Sequence, residues 1–204
     1  MKKPIQILLI IAAIISFAFI NNTTDSRKIN VVIDAGHGGH DFGAKHNEHL
    51  EKDITAQISK RIAALNSNQN IVLHFTRSDD SAMDLAARTA FINEIKPDLV
   101  LSLHVTANPR PEARGVDLFT AVEGANAARS AELAKKLGSA LETKNQLKIR
   151  GQKTAPFFIL KNSKAPAITL ELGFITNPED FKYLTNEQEQ EKIAKTILEF
   201  ISEL

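Results

Sequence analysis

The chain has 204 residues, a length that suggests one domain once any targeting segment is set aside. Apolar residues make up 43% of it, enough for a packed core, and 25 basic against 24 acidic residues leave a formal net charge of +1, which gives no electrostatic case for nucleic acid. It has no cysteine, so disulfides, thiol nucleophiles, cysteine-type zinc sites and a lipidated N-terminal cysteine are excluded, and any metal must use His and carboxylate ligands.

Lys2 and Lys3 give a positive start, residues 5–15 are apolar except Gln6, and Ser16-Phe17-Ala18 fits a small-x-small cleavage site. Residues 1–20 are therefore read as a cleaved signal peptide or an uncleaved membrane anchor, and residues 21–28 as a polar linker. Either reading puts the domain, residues 29–204, outside the cytoplasm: periplasmic, secreted or associated with the cell envelope.

The domain opens with a β-branched run, residues 29–33, which predicts a buried strand. It ends in the glycine-rich turn Asp34-Ala35-Gly36-His37-Gly38-Gly39. A helix is expected over 48–65, with Ile54, Ile58, Ile62 and Leu65 on one face. A strand follows at 71–75, a helix at 85–95 broken by Pro97, and a strand at 99–104. Beyond it we expect a strand at 115–120, an Ala-rich helix at 125–141, loop over 147–156, and strands at 157–160 and 166–172. Asn177-Pro178-Glu179-Asp180 reads as a helix start, with an Asn cap, an early Pro and acids at the positive end of the dipole. A last helix covers 187–201. Strands and helices alternate, which predicts a single α/β domain with a mainly parallel twisted sheet flanked by helices.

Three ionisable residues sit where strands end: His37 after the first, His104 at the end of the third and Glu171 in the last. Ligand sites in open α/β sheets lie at the carboxyl ends of strands, so these groups, distant in sequence, are expected to share one crevice. A glycine-flanked His37 lets a ligand approach closely, and the glycine spacing matches neither the dinucleotide pattern nor the P-loop. His104 also fits a satisfied core histidine. Glu51 opens the first long helix, where a carboxylate gains from the dipole with or without another role. Glu171 lies in the apolar run Ala167-Ile168-Thr169-Leu170-Glu171-Leu172-Gly173-Phe174. Burial there is costly for an ion unless it is paired or metal-bound, and it raises the pKa toward that of a general base. His40, His46 and His49 compete as ligands on residue type alone; His74 reads as structural.

From about Val31 to the C-terminus the chain resembles the zinc-dependent N-acetylmuramoyl-L-alanine amidases of the Amidase_3 type. The resemblance rests on Ile33-Asp34-Ala35-Gly36-His37-Gly38-Gly39, Glu51-Lys52-Asp53, Thr76-Arg77, Ser102-Leu103-His104 and the run from Glu171 to Glu179, in that order and spacing. It implies peptidoglycan as substrate, Zn2+ as cofactor, His37, Glu51 and His104 as zinc ligands, and Glu171 as the catalytic carboxylate. It further implies that zinc-activated water cuts the amide between N-acetylmuramic acid and L-alanine of the stem peptide. The chain departs from the pattern at Ala35, where proline is usual, and in Val105-Thr106-Ala107-Asn108, where a small residue and then Asn or Asp usually follow the histidine. No inserted helix that would plug the site is visible between Gly115 and Glu171, and no separate wall-binding module; we expect an enzyme that needs no activator to relieve a plug. The rival expectations are another envelope zinc peptidase, such as a carboxypeptidase, and a non-catalytic peptidoglycan-binding adaptor.

Overall fold

The computed structural model describes residues 27–204. The expected signal peptide or anchor, and the linker up to residue 26, lie outside the described residues. Among those described, no helix is long and apolar enough to cross a membrane.

The elements run β1 (Ile29–Ala35), β2 (Lys45–His46), β3 (His49–Leu50), α1 (Glu51–Leu65), β4 (Ile71–Phe75), α2 (Leu85–Ile95), β5 (Leu99–Thr106) and β6 (Val116–Thr120). They continue with α3 (Ala127–Asn145), β7 (Ile149–Thr154), α4 (Phe158–Asn162), β8 (Ala167–Phe174), α5 (Pro178–Thr185) and α6 (Glu187–Ser202). Six strands form one sheet in the order β4-β1-β5-β8-β6-β7. β4, β1, β5 and β8 are parallel, whereas β6 runs antiparallel to β8 and carries β7 parallel to itself. The α/β class and the mainly parallel sheet are as expected.

The two-residue period of a strand sorts side chains onto two faces. Val31, Ile33, Leu101, Leu103, Ile168, Leu170 and Leu118 join one core cluster with the apolar stripes of α1, α3 and α6. Val32, Val100 and Ala167 point the other way, into a smaller cluster with Ile92 of α2 and Ile159 and Leu160 of α4. On this second, thinly covered face the next alternate positions are Asp34, Ser102, His104, Thr169 and Glu171. The fold therefore brings polar chemistry to the face where helices leave room.

Four expectations need correction. Residues 147–156 are not loop: Ile149–Thr154 pair in parallel with β6. They are an edge strand with four solvent-exposed residues, and an edge needs no apolar alternation. Residues 157–160 are not a strand, because Phe158–Asn162 form a short helix that buries the adjacent Ile159 and Leu160 together. A four-residue apolar run fits either state. The first long helix begins at Glu51 rather than 48, because His49 and Leu50 pair with Lys45 and His46 in a small hairpin. Finally, β5 continues to Thr106 and β8 to Phe174, so His104 and Glu171 lie inside strands near the rim.

Leu101 is fully buried in central β5. Leu101→Ala is expected to lower unfolding stability by ~2–5 kcal/mol, measured by equilibrium denaturant unfolding.

Candidate metal centre

Three elements deliver the site. The turn after β1 carries His37, the first residue of α1 is Glu51, and β5 carries His104. One ligand-type atom from each lies within 4.8 Å of the other two. Glu51 Oε1 sits 3.1 Å from His37 Nε2 and 2.9 Å from His104 Nδ1. The two rings meet edge to face with centroids 5.1 Å apart. Glu51 is itself fixed by the backbone N–H groups of Ala44 and Val105, which donate to Oε2 and Oε1.

The local backbone is shaped for this convergence. His37 has φ of 62°, a left-handed conformation uncommon for a side-chain-bearing residue. A Cβ on Gly36 would come within 2.5 Å of the His104 ring, so glycine is required for the turn to pass beneath it. His37 Nδ1 lies 2.8 Å from Asp41 Oδ2, a pairing that holds the ring and leaves Nε2 facing Glu51.

A buried polar platform holds the turn from behind. Asp34 accepts from Arg88 Nη1 at 2.6 Å, Thr76 Oγ1 at 2.7 Å and Ser102 Oγ at 2.5 Å. Burial alone would raise its pKa, but the Arg88 charge and the three hydrogen bonds hold it below the usual carboxylate value. Arg88 also donates to the carbonyls of Ala35 and His37. Arg77 donates to those of Ala35, Gly36 and Lys52. Lys52 reaches the Gly39 carbonyl, and Asp80 joins Lys52 Nζ to Gly39 N–H. Sequence reasoning did not mark Arg88, Asp41 or Asp80, and it met Lys52 only inside the motif Glu51-Lys52-Asp53. An Arg four residues before the buried Ile92 on one helix face was the available signal for Arg88.

Electrostatics follow from one carboxylate between two imidazoles. Burial disfavours the charged form of His37, yet Glu51 and Asp41 beside it push its pKa up to about 9. His104 is also raised: burial opposes charging, but Glu51 outweighs it. Glu51 is driven down to about 2, because the histidines overcome its burial. Glu171 goes the other way, up to about 6, first through burial and then through the negative charges of Glu51 and Asp117. Its Oε2 is buried without a hydrogen-bond partner. It lines a pocket with His37 and His104, and it pairs in register with His104 across β5 and β8.

The donor set fits a divalent ion such as zinc. Two imidazole nitrogens and a carboxylate oxygen are the usual non-cysteine ligands, with bonds of ~2.0–2.2 Å, and here one atom of each type already lies within 4.8 Å of the others. The competing histidines lie elsewhere. His46 and His49 stack on Phe181 with centroids 5.6 and 4.9 Å away, His40 is exposed, and His74 bonds Asn30. In the departing segment after His104, Asn108 exchanges hydrogen bonds with Thr176.

The chain is similar to known proteins in sequence and in fold. The family model Amidase_3, N-acetylmuramoyl-L-alanine amidase, matches residues 31–203. The chain is 35% identical over 171 residues to the uncharacterized protein YqiI of Bacillus subtilis, covering 82% of this chain and 81% of that protein. It is 34% identical over 170 residues to N-acetylmuramoyl-L-alanine amidase LytC of Bacillus subtilis, covering 82% of this chain and 34% of LytC. It therefore spans about a third of LytC's length. A solved N-acetylmuramoyl-L-alanine amidase from Clostridium difficile 630 superposes with a TM-score of 0.82 at 29% identity, over 87% of this chain and 97% of that one.

The Asp34–Arg88 pair makes two predictions. Arg88→Ala strands a buried carboxylate and is expected to cost ~3–5 kcal/mol. Because Asp34 is lowered in the fold, its contribution is present above the unfolded value of ~3.9 and lost as pH falls through the folded value. Denaturant midpoints of the wild type should therefore drop below about pH 4, and Asp34→Asn should shrink that drop.

Proposed function

The chain belongs to the Amidase_3 family and is an N-acetylmuramoyl-L-alanine amidase; from that premise we propose that His37, Glu51 and His104 hold zinc and that Glu171 is the catalytic carboxylate. The observation that carries this reading is the approach of three donor atoms to within 4.8 Å beside the half-buried Glu171, whose Oε2 is buried without a hydrogen-bond partner. Zinc, when bound, supplies a Lewis acid that polarises a carbonyl and lowers the pKa of water toward ~7.

The chain's own residues do the rest. His37 Nε2, His104 and Glu51 present the ligand atoms, and Asp41 keeps the His37 ring oriented. Protonated imidazoles cannot ligate, so metal uptake near neutral pH releases protons. Glu171, with its pKa near 6, is mostly deprotonated at neutral pH and accepts a proton as water adds to the lactyl carbonyl carbon. It passes that proton to the departing nitrogen as the C–N bond breaks, freeing the L-alanine amino group. Partial burial keeps the basicity of this carboxylate high. Between Gly115 and Glu171 the described chain forms β6, α3, β7, α4 and the first part of β8, which supports activity without an activator to displace a plug. A signal peptide or anchor at residues 1–20 would deliver the domain to the envelope, where peptidoglycan lies.

Incubation with purified sacculi should release peptides with an L-alanine amino end and leave glycan strands uncut. Glu171→Gln should lower that rate by ~10²–10⁴ with thermal stability retained. New C-terminal residues instead of L-alanine amino ends would mark a carboxypeptidase, and a Glu171→Gln protein as active as wild type would remove the proton-transfer role.

A further inference from the structure

The row of side chains that begins at the metal centre continues past it. His104 pairs in register with Glu171, and Glu171 with Asp117 of β6. Asp117 pairs with Gly151 of the edge strand β7. All share the thinly covered face of the sheet. A Cβ at Gly151 would meet nothing within 4 Å, so the floor beside Asp117 is open.

Two cations stand on that floor. Arg150 Nε donates to Asp117 Oδ2 at 2.9 Å, and Lys153 Nζ lies 2.8 Å from Asp117 Oδ1. The second contact is an ion pair without hydrogen-bond alignment, so Lys153 keeps donors to offer. Asp117 is buried to 6% exposure, whereas the Arg150 and Lys153 side chains are 33% and 43% exposed. Arg150 also stacks 4.8 Å above the Phe174 ring, which restricts its motion. Two cations share one carboxylate, so Arg150, Lys153 and Asp117 taken alone carry one net positive charge. The opposite arm of the groove, about 650 Å³, is lined by Asp41 and Asp84 together with Arg88, His37 and His104.

Resting on the amidase reading above, we infer that Arg150 and Lys153, held in place by Asp117, form a subsite for a carboxylate of the stem peptide on the leaving-group side of the amide. Proton delivery from Glu171 to the departing nitrogen fixes where the peptide begins. β7 lies two strands beyond β8, ~10 Å away at ~4.8 Å per strand. An extended peptide advances ~3.3–3.6 Å per residue, so a carboxylate about three residues beyond the scissile nitrogen reaches the pair. A glycan carries no such charge on that side, so the pair also sets the direction in which substrate lies.

The test is calorimetric binding of short synthetic peptides that begin with L-alanine, each prepared with free carboxylates or fully amidated. It needs no turnover. Wild-type protein should bind the carboxylate form about tenfold or more tightly, as expected for a charge-assisted contact. Lys153→Ala should narrow that preference, Lys153→Glu abolish it and Lys153→Arg keep it. In steady-state hydrolysis of the matching muropeptides the loss should fall on KM rather than kcat. Equal affinity of wild type for both forms, or a preference that survives Lys153→Glu, overturns the subsite whatever the turnover. A preserved preference without any amide cleavage would instead count against the amidase reading alone.

Discussion

The Glu51 carboxylate is the point on which this site is assembled. It opens α1, receives backbone N–H groups from Ala44 and Val105, and lies within 3.1 Å of a nitrogen from each of two histidines. A buried carboxylate is tolerated only with compensation. Without a metal, the imidazoles supply it by holding protons, which is why His37 rises to about 9 while Glu51 falls to about 2. A divalent ion provides the same compensation from the same atoms. The three side chains are thus held together by their own charges.

That convergence needs a rigid backing, because His37 sits on a turn with a left-handed backbone. Arg77 and Arg88 provide it by donating to successive carbonyls of the turn, with Asp34 neutralising Arg88 from below. Metal sites depend on such outer partners for the orientation of their ligands. Here they are charged groups taken out of water, so removing one leaves its partner stranded. The stability of the domain and the geometry of the site rest on the same buried pair.

Much of this was legible in the sequence. His37, His104 and Glu171 stood out because apolar strands ended in, or contained, groups that do not belong in a core. Glu51 could not be distinguished from an ordinary helix-opening acid without the family resemblance, because both readings place a carboxylate at the dipole's positive end. His46 and His49 could be set aside only once the hairpin had packed them against Phe181. Strand β7 escaped notice because an edge strand facing solvent needs no apolar pattern, and α4 was misassigned because Phe157 to Leu160 fits two states. Arg88 and Asp117 were missed for a related reason. A charged residue announces burial only through partners that are distant in sequence.

The groove has a polarity that the fold imposes. Asp41 and Asp84 line the arm toward α2 beside Arg88, His37, Glu51 and His104 occupy the middle, and Glu171, Asp117 and Gly151 follow in register across three strands, with Arg150 and Lys153 flanking Gly151. The most direct test of the account is a crystal structure of the protein purified without chelator, with anomalous differences measured at the zinc edge. The account predicts a single strong peak bonded to His37, Glu51 and His104, with Glu171 beside it. Zinc bound at other residues, or no anomalous peak at those three in protein that hydrolyses sacculi, would contradict it.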